Sequence, residues 1–327
     1  MGLIVAVSCG ASPEPEELLE PEVSAGTIAR LDPAFEQLVP ADAVIELLAD
    51  GFGFSEGPAW IDEGEGFLLF SDIPWNSIIK WTPDGTVTDV LSPVYEGVFK
   101  ERRLVGSNGI TVDRDGRVVF TEHFSGRISR VDIAAGNRSL VIESYEDGRL
   151  NRPNDFVYKS DGSVYFTDPA YGLPEPDARE QDVNGIYRLS PAGSLTLLAD
   201  QPGPNGLAFS PDESRFYVAD SATGVWMVYD VAEDGTLNGG TILLDASDVD
   251  EAGAPDGMKV DLSGNIFATG PGGVWVLTHD GTPWGTIMPD EVPVNVACGD
   301  DGRTLYMTAL TDLYRIKLTT EGQIPGP

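Results

Sequence analysis

At 327 residues the chain is longer than one ordinary domain needs, and 41% apolar residues can fill a packed core. Fifty-three acidic residues against 20 basic ones give a net charge of −33, which repels phosphate backbones and excludes nucleic acid as a partner. No apolar run approaches the ~18 residues of a membrane helix; two cysteines and two histidines exclude a disulfide framework, a cysteine-rich zinc site and a three-histidine zinc site.

The chain opens with Met1-Gly-Leu-Ile-Val-Ala-Val-Ser-Cys9-Gly10. A short apolar run ending in small residues and a cysteine is similar to a bacterial lipoprotein signal, although no basic residue precedes it. It predicts export, with a periplasmic location or a lipid anchor on Cys9; the alternative is a cytoplasmic protein. Residues 10–40 are rich in Pro, Glu and Ala and read as a tether with no core of its own. The one helical stretch in view is Pro33–Leu38. Residues 1–40 are therefore expected to be signal and tether, and residues 41–327 one domain.

From residue 56 onward one pattern recurs. Asn108-Gly-Ile-Thr-Val through Val118-Val-Phe-Thr-Glu122 is its clearest copy, and Asn154–Asp168 repeats it without a gap. Further copies begin at Glu56, Asn205, Asp256 and Asn295. Each is a short β-rich run, a turn such as Asp115-Gly116 or Asp161-Gly162, and a second β-rich run; Asp-Gly between apolar segments signals a hairpin, because glycine tolerates the positive φ of the turn. Two further β-rich runs follow, in the third copy Gly185–Ser190 and Leu195–Asp200. A period of about 40–50 residues with four strands each is that of propeller blades. The sixth copy is followed only by Leu313–Lys317. Ala43–Asp50, which resembles Leu195–Asp200, is expected to supply the missing outer strand and close the ring. The predicted fold is an all-β, six-bladed propeller with four-stranded blades.

In a propeller the innermost strand runs along the central channel, so the leading residues Glu56, Asn108, Asn154, Asn205, Asp256 and Asn295 converge at one mouth. All six bear side-chain oxygens. Clustered carboxylates repel unless a cation lies between them. Two carboxylates with amide carbonyls suit a hard cation of flexible coordination: Ca2+ first, with Mg2+, Mn2+ or Zn2+ as alternatives. The second strand of each hairpin returns to the same end and carries His123, Asp168 and Asp220 to the rim, overhung by the Tyr171–Asn184 loop. Gly53-Phe-Ser55-Glu-Gly57 matches the nucleophile elbow of serine hydrolases, but no helix follows it, as that motif requires.

Several segments resemble the senescence-marker-protein / gluconolactonase / luciferin-regenerating-enzyme family over residues 45–317: Ser55-Glu-Gly-Pro58, Leu150-Asn-Arg-Pro-Asn-Asp155, Tyr165–Leu173, Pro204–Ser210 and Pro255–Val260. Gly270-Pro-Gly-Gly-Val-Trp275 resembles its bacterial gluconolactonase branch. The resemblance implies metal ligands at Glu56, Asn154, Asn205 and Asp256, substrate contacts at Arg152 and Asn154, and Asp256 as proton acceptor. It leaves Asn108 to touch substrate or support the ligands, and Asn295 to a structural role. Thr121-Glu122-His123 stands where the bacterial branch often has Cys-Glu-His, and Phe124-Ser125 replaces a more polar pair. His123 is a candidate proton shuttle. The expected function is hydrolysis of a small sugar lactone by metal-assisted attack of water. A metal-dependent organophosphate hydrolase and a non-catalytic binding propeller are the alternatives.

Overall fold

The computed structural model describes residues 24–98, 104–173 and 179–325. Six sheets follow one another around a ring, and they coincide with the six sequence repeats. The first blade is built from Ser55–Ile61, Phe67–Asp72, Ser77–Trp81 and Val87–Leu91. The later blades begin at Ser107, Phe156, Pro204, Met258 and Pro293, always with the innermost strand first. The turn glycines Gly116 and Gly162 have φ of 76° and 84°, as the Asp-Gly pairs demand.

The apolar side chains divide into six clusters, each between two consecutive blades. Ala59, Leu69 and Ile78 of blade one meet Ile110, Val118 and Phe120 of blade two. Trp60, Leu68 and Trp81 of blade one meet Ala297, Tyr306 and Leu313 of blade six, where Trp60 and Tyr306 stack with centroids 5.3 Å apart. The core is thus a ring of sheet-on-sheet contacts rather than one central mass.

Ile45–Ala49 pairs antiparallel with Asp312–Lys317 as the fourth strand of blade six. Ile45 lies opposite Ile316, and Arg315 clamps Glu46 with bonds of 2.7 and 3.1 Å. This closes the ring as the sequence predicts.

The tether expected over residues 10–40 is corrected from Ser24 onward. Gly26–Arg30 pairs with Pro283–Pro289 and gives blade five a fifth strand. Pro33–Gln37 forms a 3-10 helix, capped by the Asp32 side chain, which seats Phe35 fully buried between blades five and six. Burying that ring stabilises the fold by about 1.5–3 kcal/mol, which gives the segment the core anchor its composition conceals. Cys9 and the expected signal lie outside the described residues.

Candidate functional site

Each inner strand is disturbed at its leading residue. The pairing register shifts between Glu56 and Ala59, between Ser107 and Ile110, between Pro204 and Leu207, and between Pro293 and Asn295. In blades three and five regular pairing begins only at Phe156 and Met258, just after Asn154 and Asp256. Such bulges bend a strand and re-aim a side chain. Glycine allows the ring to tighten there: a Cβ on Gly57, whose φ is +56°, would fall 2.0 Å from the Asn108 carbonyl oxygen. A Cβ on Gly206 would fall 2.3 Å from that of Asp256.

Hydroxyls lock consecutive blades together at this level. Ser71 donates to Asn108 O at 2.7 Å, Thr121 to Asn154 O at 2.9 Å, and Thr167 to Asn205 O at 2.8 Å. Thr269 donates to Val294 O at 2.9 Å. In blade four the equivalent residue is Ala219, and Ser221, two places on, donates to Pro255 O at 2.6 Å instead.

Glu56, Asn108, Asn154, Asn205 and Asn295 are all buried, while Asp256 is partly exposed with its Oδ1 enclosed. Glu56 Oε2 accepts bonds from its neighbour Gly57 N at 2.6 Å and from Asn295 Nδ2 at 2.9 Å. Burial pushes the Glu56 carboxyl up to about 7 despite these donors, and Asp155 adds repulsion. Burial, then repulsion from Glu56 and Asp155, pushes Asp256 well above the usual carboxylate range. Asn205 Nδ2 donates to Ser221 Oγ at 3.0 Å. Asn108 Oδ1, Asn205 Oδ1 and Asp256 Oδ1 have no donor.

That donor set fits a hard cation. Two carboxylates that repel each other and amide oxygens left without donors are what an oxygen-liganded divalent ion needs. No group of three or more His, Cys, Asp or Glu side chains suited to a metal occurs among the described residues, so any such ion rests on the amides as well.

His123 and Arg152 lie close enough together for the guanidinium charge to act on the imidazole. Both are buried, and neither imidazole nitrogen of His123 has a partner. Burial, then the Arg152 charge, pushes His123 down to about 3. Arg152 is pushed down to about 10 by burial and lies over the Phe124 ring at 5.9 Å. Its Nη1 donates to Leu104 O at 3.4 Å, and its Nε has no partner.

The expected rim carboxylates are engaged in holding backbone. Asp168 accepts from Asn151 N at 2.8 Å, and Asp220 from Gly203 N at 3.2 Å and Thr223 N at 3.0 Å. Tyr171 donates its hydroxyl to Gly203 O, tying the start of the rim loop to blade four; residues 174–178 of that loop lie outside the described set. Ser55 is buried, opens a strand and donates to Asp312 O at 3.1 Å, which removes the nucleophile-elbow reading.

Sequence reasoning passed over Asp155. It follows Asn154, immediately before the inner strand, and lines an axial cavity of about 280 Å³ with Gly57, Lys259 and Asn295. Its signal was a broken pattern: the residue after the leading one is Gly57, Gly109, Gly206 and Gly257 in four repeats but Asp155 in the third.

Residues 54–311 match the family described as SMP-30/Gluconolactonase/LRE-like region. A gluconolactonase of Zymomonas mobilis is 38% identical over 316 residues, covering 91% of this chain and 87% of its own. The solved structure of a gluconolactonase from Xanthomonas campestris is similar with a TM-score of 0.80 at 31% identity, covering 90% of this chain and 96% of that one. Regucalcin from Agrobacterium tumefaciens, a calcium-binding protein, shares the fold with a TM-score of 0.68 at 20% identity, covering 86% of this chain and 95% of that one. A match over most of the ring, with a relative this similar along nearly its whole length, means that the chain belongs to the SMP-30/gluconolactonase/LRE-like family.

Proposed function

We propose that the protein is a lactonase that opens a sugar-type lactone with the help of one divalent cation, calcium by the hardness of its donors. The observation that carries this reading is the pairing of Glu56 and Asp256, two carboxylates both raised by burial, beside amide oxygens that have no donor. The gluconolactonases among its relatives support the substrate class.

Glu56, Asn154, Asn205 and Asp256 would hold the ion, which when bound supplies Lewis-acid polarisation of the lactone carbonyl. Asp256 takes the proton of the water as its oxygen bonds to the carbonyl carbon; the acyl C–O bond of the ring breaks, and the departing ring oxygen receives that proton from Asp256 to give the hydroxy acid. Arg152, with its free Nε, and Asn108, with its free Oδ1, offer a donor and an acceptor to sugar hydroxyls. His123, held neutral down to about 3, hydrogen-bonds substrate as a neutral ring better than it carries protons at neutral pH.

The test is a panel of five- and six-membered aldonolactones and simple phosphotriesters, with and without chelator. Aldonolactone turnover that chelator stops is the expected result. Phosphotriester turnover about tenfold faster at matched concentration would make the protein an organophosphate hydrolase instead. No turnover of either class with calcium, magnesium, manganese or zinc supplied would make it a binding propeller.

A further inference from the structure

We propose that Asp155 is a positioning carboxylate of the cation site: a third negative charge, not itself a ligand, that sets how tightly the site holds a divalent ion. The proposal rests on the cation reading above and extends it to a residue that reading does not use.

Asp155 occupies a place where four of the six repeats have glycine. The neighbouring blade makes room for it: a Cβ on Gly109 would lie 2.9 Å from Asp155 Oδ1. Its two oxygens are not equivalent. Oδ1 accepts from Phe156 N at 2.8 Å, a local bond that an asparagine would also make. Oδ2 is buried with no donor at all. A buried carboxylate oxygen without a donor is costly, so holding the backbone of Phe156 does not explain a charge here.

Charge balance does. Asp155 repels both Glu56 and Asp256, and it lines the axial cavity together with Asn295, whose amide holds Glu56 at 2.9 Å. The ammonium facing Glu56 is that of Lys259, on the inner strand that follows Asp256, and its Nζ donates to Met258 O at 3.0 Å. With all three carboxylates ionised, as a bound cation would keep them, three negative charges and one positive leave a local charge of −2, which one divalent cation neutralises. Without Asp155 the same site would carry −1 and attract a divalent ion less strongly. Carboxylates that support metal ligands rather than bind the metal typically change affinity by about 10–100-fold.

The decisive experiment is Asp155→Asn in the full chain. Calcium affinity is read by isothermal titration calorimetry, and the melting temperature is read in chelator. Wild type should bind calcium, and the variant should bind it about tenfold or more weakly. In chelator the variant should melt no lower than wild type, because a buried carboxylate oxygen without a donor is removed while the bond from Phe156 is kept. Equal affinity in the two proteins, a lower melting temperature in chelator, or a variant that does not fold would each overturn the proposal. A wild type that binds none of calcium, magnesium, manganese or zinc would instead overturn the cation reading itself, and this proposal with it.

Discussion

Asn295 Nδ2 donates to Glu56 Oε2 across 2.9 Å, joining the leading residue of the last blade to that of the first over 239 positions of sequence. The bond both completes the ring of leading residues and aims the Glu56 carboxylate. Asn295→Ala removes one of two donors to a buried carboxylate oxygen and should cost about 1–3 kcal/mol. Urea denaturation at unchanged slope checks this; a midpoint equal to that of wild type would mean that the amide contributes nothing to closure.

Asp256→Asn keeps an oxygen at the site but removes a charge and a proton acceptor. Turnover of aldonolactone should fall about 10²–10⁴-fold, with the circular dichroism spectrum unchanged. Near-normal kcat would remove Asp256 from the proton-transfer role.

Thr121→Val tests the hydroxyl bonds between blades. The Thr121 hydroxyl donates to Asn154 O at 2.9 Å, and the variant preserves shape while deleting that bond. A loss of about 0.5–1.5 kcal/mol is expected, measured by calorimetric melting. Asn154 O keeps its bond from Gly109 N at 2.9 Å, so the fold should survive.

Asp168 makes stability depend on pH. Burial holds its carboxyl up at about 7, against backbone bonds from Asn151 and Arg152, from an ordinary value of 3.8. Between those values the folded chain binds a proton that the unfolded chain has released. The stability this confers is full below the unfolded pKa and drains away as pH rises through the folded one. Asp168→Asn does not titrate, so the stability of wild type minus that of the variant should fall from about pH 4 to about pH 7 and then level off. Chemical denaturation at several pH values reads it; a difference that stays constant or grows with pH would contradict the assignment.

The blades were legible because their signals are local and repeated: a polar leading residue, an Asp-Gly turn and two β-rich runs. Ile45–Ala49 was legible because it resembles the outer strand Leu195–Asp200. Gly26–Arg30 was not, because five residues among Pro, Glu and Ala offer no period, and their partner strand Pro283–Pro289 lies far along the chain. Of the candidate site, Glu56 and Asp256 stood out as carboxylates at places where other repeats have amides. Asp155 did not, because an Asn-Asp pair reads as turn chemistry until the burial of Oδ2 is seen. His123 stood out as an isolated histidine, but its neutrality depends on exclusion of water and on the nearby Arg152 charge, neither of which has a one-dimensional signature.

The strand that shuts the ring also sets an order of events during biosynthesis. Glu46 leaves the ribosome early, and its clamp Arg315 is made 269 residues later. At about 5–20 residues per second the first of these strands waits roughly 13–54 s for the second. Throughout that interval Ile45–Ala49 has no partner strand, and the open arc becomes a closed circle only once Asp312–Lys317 has been made.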